Sequence, residues 1–328
     1  MKIGSLFRIA SFVEVKNDNS TTTFPQGFSR LFQSHLPKSD YQLIDFGAGR
    51  KLEQIGQAIV NRPCPGATAQ IAGSDLWNKV DLSYSLVLDG QWHYHNSFKQ
   101  KRLATAWDCH CESLCMQVRP TPAGQVGVFP EHWAHWPWLI ESILGPDANQ
   151  SHNASPPRVL SLFAYTGATT LALAKAGCQV THVDASKPTV QWAKENSTHS
   201  DLAGAATRWI VDDAVAFVKR ELRRNKQYDA IILDPPTYGH GAQGDRWEIH
   251  RDLTPLLDDC WNLLSDERRA VLLCGHSSHI SIRDINRRLA QHHGAARSGE
   301  CEITQAYLLD QSGRKLDCGF AAKYRFPK

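Results

Sequence analysis

Three aspartate positions carry the chemistry that this sequence can do. Asp184 closes the apolar run QVTHVD, Asp212-Asp213 follows TRWIV, and Asp234 opens Asp-Pro-Pro after YDAIIL. An ionised carboxylate only accepts hydrogen bonds, so at a strand tip it suits ligand hydroxyls or an amino group. Upstream, Tyr165-Thr166-Gly167 separates the apolar RVLSLFA from the helix-forming ATTLALAKAG, which Gly177 closes. Asp184 lies seventeen positions after Gly167, a spacing at which an acid on the next strand reaches the hydroxyls of a ribose. Each acid alone also has a plainer use as a helix N-cap. Three of them after successive strands argue for one shared ligand.

A second glycine turn, DFGAGR at 45–50, competes for that ligand. A nucleotide loop must leave a strand and open a helix, so that backbone N–H groups face the ligand. DFGAGR is followed by KLEQIGQAIVNRP, where Gly56 would interrupt a helix and AIV reads as a strand. A hairpin turn is the better fit. The downstream loop holds a single glycine rather than GxGxxG. Pyrophosphate needs close backbone approach over several residues, so a phosphate-free nucleoside such as S-adenosylmethionine is favoured over NAD.

The elements that must position these groups fall into two textures. Residues 145–157, GPDANQSHNASPP, form a polar linker. Before it come short strand-like runs: YQLIDFG, QAIVNRP, YSLVLDG, and CMQVRP paired with QVGVFPE around TPAG. After it, RVLSLFAY, QVTHVDAS, TRWIVDDA, YDAIILDPP and RAVLLCGHSS alternate with helices near 169–176, 188–196, 214–224, 252–264 and 281–292. CEITQAYLLD and DCGFAAKYRF close as a strand pair. Alternation of this kind means a parallel sheet. The expected fold is α/β: a Rossmann-like seven-stranded sheet, parallel with an antiparallel C-terminal hairpin strand, over residues 146–328. A smaller strand-rich α+β domain over 1–145 precedes it.

Composition bounds the class. The 328 residues, 42% hydrophobic and 21% charged, suit a soluble globular chain of two domains. No apolar run or leader pattern points to a membrane or to export, so a cytoplasmic protein is expected. A net charge of +3 permits a nucleic-acid partner without arguing for one. Basic runs at 99–102, 219–226 and around Arg283, Arg287 and Arg288 are read as solvated helix faces. The nine cysteines are scattered. The one cluster, WDCHCESLC, lacks a familiar zinc spacing and is read as apolar strand packing, so no metal site is expected.

FAYTGATT, HVDAS, WIVDDA and LDPPTYG together resemble the motifs of class I S-adenosylmethionine-dependent methyltransferases. They are most similar to the bacterial large-subunit rRNA group that makes 5-methylcytidine or 7-methylguanosine. LIDFGAGRKLEQIG and VGVFPEHWAHW resemble that group's leading domain, so the likeness spans roughly 40–280. It implies that Phe163, Ala164, Tyr165, Thr166 and Gly167 wrap the cofactor's methionine and ribose, and that Asp184, with Ala185 and Ser186, holds the ribose hydroxyls. It further implies that Asp213 and Ala214 meet the adenine, and that Asp234 and Pro235 flank the sulfonium methyl. Glu131 approaches from the front.

The acceptor is less legible. Carbon 5 of cytosine needs a cysteine thiolate to add to the ring first. The family's cysteine position holds His276, and Cys274 sits two residues back, read as a buried strand residue. Guanine N7 or an exocyclic amine is therefore favoured, with Tyr238 stacking on the base and His240, Trp247 and His250 as further candidates for the pocket. The expected activity is methylation of structured RNA such as rRNA, with Asp234, Pro235 and Tyr238 at the reacting end. A protein or small-molecule methyltransferase, and a non-catalytic RNA-binding module keeping the fold, are the alternatives. Oligomeric state is not legible.

Overall fold

The computed structural model describes residues 38–85, 90–95, 103, 105–145, 155–240, 246–266, 270–276 and 300–326. The helix expected near 281–292, the basic run 99–102 and most of the linker fall outside them.

The leading segment is a five-stranded sheet, β1 (Tyr41–Gly47), β2 (Arg50–Ile55), β3 (Ala58–Pro63), β4 (Leu82–Ser85) and β5 (Gln91–Tyr94), ordered as in the chain. DFGAGR is the β1–β2 turn: Gly47 pairs with Arg50, and the two turn residues, Ala48 and Gly49, have φ of 51° and 74°. Positive φ at both is what a tight hairpin following the strand twist requires. A separate hairpin joins β6 (Trp107–Cys111) to β7 (Leu114–Val118). Its alternate residues Trp107, Cys109, Cys111, Leu114, Met116 and Val118 are buried, so the cysteine cluster packs as strand interior. CMQVRP pairs as a strand with WDCHC, and the hairpin with QVGVFPE that the sequence suggested is confined to the residues beside its turn, where Arg119 N donates to the Val126 carbonyl (3.1 Å) and Thr121 N to the Gln125 carbonyl (2.9 Å). Pro120 and Pro122 lack N–H donors, and Gly127 turns the chain at φ 94°.

Pro130–His135 then forms a 3₁₀ turn leading into α1 (Trp136–Leu144). Beyond the linker run β8 (Arg158–Leu162), α2 (Ala168–Lys175), β9 (Gln179–Asp184), α3 (Lys187–His199), β10 (Thr207–Val211), α4 (Ala214–Arg223) and β11 (Ala230–Leu233). A short hairpin, β12 (Tyr238–His240) with β13 (Arg246–Glu248), precedes α5 (Ile249–Asn262), β14 (Ala270–Gly275), β15 (Glu300–Leu309) and β16 (Lys315–Arg325).

The seven-stranded sheet has the order β10-β9-β8-β11-β14-β16-β15, with β16 antiparallel to both neighbours and the other pairings parallel. β11 and β14 are buried at every residue, as parallel strands covered on both faces must be. The strand order reverses between β8 and β11, and ligands bind at the carboxyl ends around such a switch point.

All described residues lie in one compact unit, Leu36–Lys328. A single apolar cluster joins Tyr41, Phe46, Trp107, Trp133 and Trp136 with Leu171 of α2 and with Leu308 and Leu316 of the last strands. The β6–β7 hairpin also rests on α3: Gln117 N donates to Asn196 Oδ1 (2.9 Å), and Trp192 Nε1 donates to the Gln117 carbonyl (2.9 Å). Arg314, in the β15–β16 turn, reaches back to the Asp45 carboxylate and stacks on Phe46, 4.5 Å from the ring centre. A buried ion pair stiffens the leading sheet. Arg62 Nε donates to Glu53 Oε2 at 2.6 Å, while Tyr41 and Lys51 share Glu53 Oε1.

Candidate active site

The loop between β8 and α2 is strained in a regular way. Phe163, Tyr165 and Gly167 have φ of 54°, 50° and 88°, and left-handed backbone at a non-glycine residue costs about 1–3 kcal/mol each. The surroundings hold it there. Ala164 N donates to the Val183 carbonyl (3.1 Å), and Tyr165 N donates to Asp184 Oδ2 (2.9 Å). Thr166 Oγ1 donates to the Gly127 carbonyl (2.6 Å), and Asn196 Nδ2 donates to the Thr166 carbonyl (2.9 Å). Gly127 can come this close because it has no side chain: a Cβ there would meet Trp192 Cζ2 at 2.3 Å. The loop is therefore fixed jointly by the leading segment, β9 and α3.

This loop lines a cleft with Gly127, Phe129 and His132 in front, Ala168 and Thr169 of α2 beside it, and Ile232, Asp234, Leu272 and Cys274 from β11 and β14. Of the sequence candidates, Phe163, Ala164, Tyr165, Thr166, Gly167 and Asp234 line it directly. Asp184 stands behind Tyr165. Its Oδ1 accepts the Ser186 N–H at 3.0 Å, and burial pushes its carboxyl up from the ordinary value, against those two backbone hydrogen bonds. A carboxylate has about four lone-pair directions, so two remain for a vicinal diol, and an adenosyl group fits this corner.

The other candidates lie off the cleft wall. Ser186 caps α3, accepting from Thr189 N, and Ala185 sits between it and Asp184. Asp213 caps α4, accepting from Ala216 N at 2.9 Å, with Ala214 buried beside it. The backbone ties this corner to β9, since Asp212 N donates to the Asp184 carbonyl at 3.1 Å. Pro235 is buried behind Asp234, whereas Tyr238, on β12, is 67% exposed. Trp247 packs on Phe163 with ring centres 4.9 Å apart and donates to the Pro236 carbonyl. It therefore supports the loop from behind, while His250 is exposed. The His240 side chain is outside the described set.

Sequence reasoning missed a group of histidines. His132 Nε2 lies 3.1 Å from Asp234 Oδ2. Burial opposes a charged imidazole, but the Asp234 carboxylate and then Cys274 hold His132 well above its ordinary pKa. Burial likewise pushes Asp234 up, yet His132, followed by His276 and His135, holds it below the ordinary value. His276 stacks edge-on to His132 at 5.8 Å. His135, buried, is pushed down to about 3 by burial and by the charge of His132. Glu131 is also buried, and its Oε2 has no hydrogen-bond partner. The available signal was His-x-x-His in FPEHWAHW.

Comparison with known proteins places this geometry. A family described as conserved hypothetical protein 95 matches residues 147–297. A SAM-dependent methyltransferase from Agrobacterium tumefaciens is 33% identical, with TM-score 0.78, over 87% of this chain and 90% of that one. A methyltransferase structure from Streptococcus mutans shares the fold at 14% identity and TM-score 0.64, over 89% of this chain and 76% of the other. A ribosomal RNA large subunit methyltransferase K/L of Shewanella sp. strain MR-4 is 37% identical over 111 residues, 33% of this chain. The chain spans only 16% of that curated relative's length.

Proposed function

This chain belongs to the S-adenosylmethionine-dependent methyltransferases, and on that premise we propose that it methylates a base in structured RNA, at guanine N7 or an exocyclic amine. S-adenosylmethionine, its cofactor, supplies a methyl group already activated as a sulfonium. The chain's own residues then bind, orient and exclude water, and positioning of this kind accounts for much of the acceleration in such displacements.

In this reading Phe163–Gly167 wraps the methionine and ribose, Asp184 accepts the ribose hydroxyls, and Asp213 with Ala214 borders the adenine. Asp234 and Pro235 flank the sulfonium methyl and shape the acceptor pocket, and Glu131 approaches the cofactor from the leading segment. The His132–Asp234 ion pair sets a carboxylate at the acceptor end that can accept a hydrogen bond from an amine acceptor. The observation that carries the proposal is one cleft at the switch point, lined by the β8 loop and Asp234, with Asp184 holding that loop through Tyr165 N. The RNA assignment is supported by the name of the curated relative and by Tyr238. That large exposed ring, four residues after Asp234 on a hairpin, suits stacking on an unpaired base.

Incubation with methyl-labelled cofactor and total rRNA, followed by nucleoside mapping, tests this. Label is expected in a methylated guanine or in a base amine. Label confined to protein, or absent from RNA, overturns the RNA assignment. Tyr238→Ala is expected to weaken RNA binding about 5- to 150-fold, the ~1–3 kcal/mol of one stacked base. Its affinity for S-adenosylhomocysteine should stay as in the parent chain, and a matching loss there would show that Tyr238 acts on the cofactor instead.

A further inference from the structure

His132 and His135 come from one 3₁₀ turn, Pro130–His135. Three residues per turn bring i and i+3 to the same side, so both imidazoles face the carboxyl end of β14, where Cys274 is 3% exposed. One nitrogen of each histidine and Cys274 Sγ lie within 4.8 Å of one another. These groups are poorly served by the protein itself. His135 is 6% exposed, and its Nδ1 is buried without a hydrogen-bond partner. His132 Nε2 meets Asp234 at 3.1 Å without hydrogen-bond geometry. Burying a polar atom unmet is costly, about 1–3 kcal/mol, so the His135 nitrogen, set beside a second imidazole and a thiol, calls for something that serves all three.

We propose that His132, His135 and Cys274 bind a divalent transition metal ion of the zinc class. Two imidazoles and a thiolate select zinc over magnesium or calcium, which take oxygen ligands. Bond lengths of about 2.0–2.1 Å to nitrogen and 2.3 Å to sulfur put tetrahedral ligand atoms roughly 3.3–3.6 Å apart. The cluster therefore needs to contract by no more than on the order of 1 Å, within reach of side-chain rotation. The Cys274 proton, and the proton that His132 shares with Asp234, leave to solvent as the metal–sulfur and metal–nitrogen bonds form. The ion ties the Pro130–His135 turn to the end of β14 and so fixes the front wall of the cleft. A second grouping, Glu131, His132 and His276, also lies within 4.8 Å, but it lacks the thiol and competes for the same His132.

The test uses the full chain, stripped with chelator and titrated with Zn²⁺ alone and with Co²⁺ alone, in the absence of cofactor and RNA. One equivalent is expected to bind, and the cobalt form should show thiolate-to-metal charge-transfer absorption in the near ultraviolet. Cys274→Ser should abolish that absorption, and His135→Asn should weaken zinc binding by at least about tenfold. Near-ultraviolet circular dichroism checks that each variant is folded. No uptake by the folded parent chain, cobalt bound without the thiolate band, or uptake unchanged in both variants overturns the proposal. None of these readouts depends on methyl transfer, so the metal site and the RNA assignment fail separately.

Discussion

Replacing Asp184 tests the cofactor corner most directly. Its two oxygens are half committed inside the protein: Oδ2 to Tyr165 N (2.9 Å) and Oδ1 to Ser186 N (3.0 Å). In the proposed function the remaining lone pairs serve the ribose. Asp184→Ala removes both sets of hydrogen bonds. Asp184→Asn keeps the shape but turns one acceptor into a donor, setting it against a backbone N–H. Leaving such groups unmet costs about 1–3 kcal/mol, which is a 5- to 150-fold loss of affinity at about 1.4 kcal/mol per decade. Calorimetric titration of each variant with S-adenosylhomocysteine measures it. A pH series adds a second signature. Burial raises the Asp184 carboxyl above its ordinary value of 3.8, and only the ionised form accepts from both amides and both hydroxyls. Affinity should therefore fall as pH falls, beginning above the range of an ordinary aspartate. Dissociation constants within about twofold of the parent in both folded variants, with no change in the acid limb, would remove Asp184 from the site.

Two further substitutions probe what holds the loop and the leading sheet. Gly127→Ala places a Cβ 2.3 Å from Trp192 Cζ2 at φ 94°, and Trp192 is pinned by its bond to Gln117. Overpacking of about 1–3 kcal/mol should lower Tm by several degrees in scanning calorimetry, and an unchanged Tm would show that the contact relaxes freely. Glu53 is pushed up by burial, but Arg62 and Lys51 outweigh this and hold it at about 2, against an ordinary 4.5. A depressed folded pKa gives stability that is complete above the unfolded value and lost as pH falls toward 2. Urea midpoints should drop across that window in the parent chain and less steeply in Glu53→Gln. Equal slopes would refute the assignment.

How much was legible in the sequence depended on whether the signal was local. β11 and β14 show as unbroken apolar runs, and β8 and β9 as apolar runs broken by Ser161 and by Thr181 and His182, because both faces are buried; their order with intervening helices gives the parallel sheet. DFGAGR was separable from a nucleotide loop because Gly56 spoils the helix such a loop needs. The strand-end acids were visible for the same reason. The β6–β7 pairing was not, because apolar alternation is equally present in QVGVFPE, and Pro120, Pro122 and Gly127 limit that arm to two backbone bonds beside its turn. Contacts between distant residues left no trace in periodicity. His135 and Cys274 are 139 positions apart, and Arg314 meets Asp45 across 269. Asp184 and Asp213 show the opposite limit: their types and spacing were plain, but the backbone amides they already serve became visible only with the coordinates.

β16 lies between β14 and β15, although the chain makes it after both. During synthesis β15 emerges with its eventual neighbour still missing, and direct addition to β14 would place it in the wrong slot. Docking of β15 and β16 together, as a preformed hairpin, avoids that error. The tip of this hairpin carries Arg314, whose partner Asp45 was translated long before. Closure of the seven-stranded sheet and seating of the leading strands are thus coupled through one hairpin, and a chain lacking that hairpin would leave the β14 edge open to a chaperone or another copy.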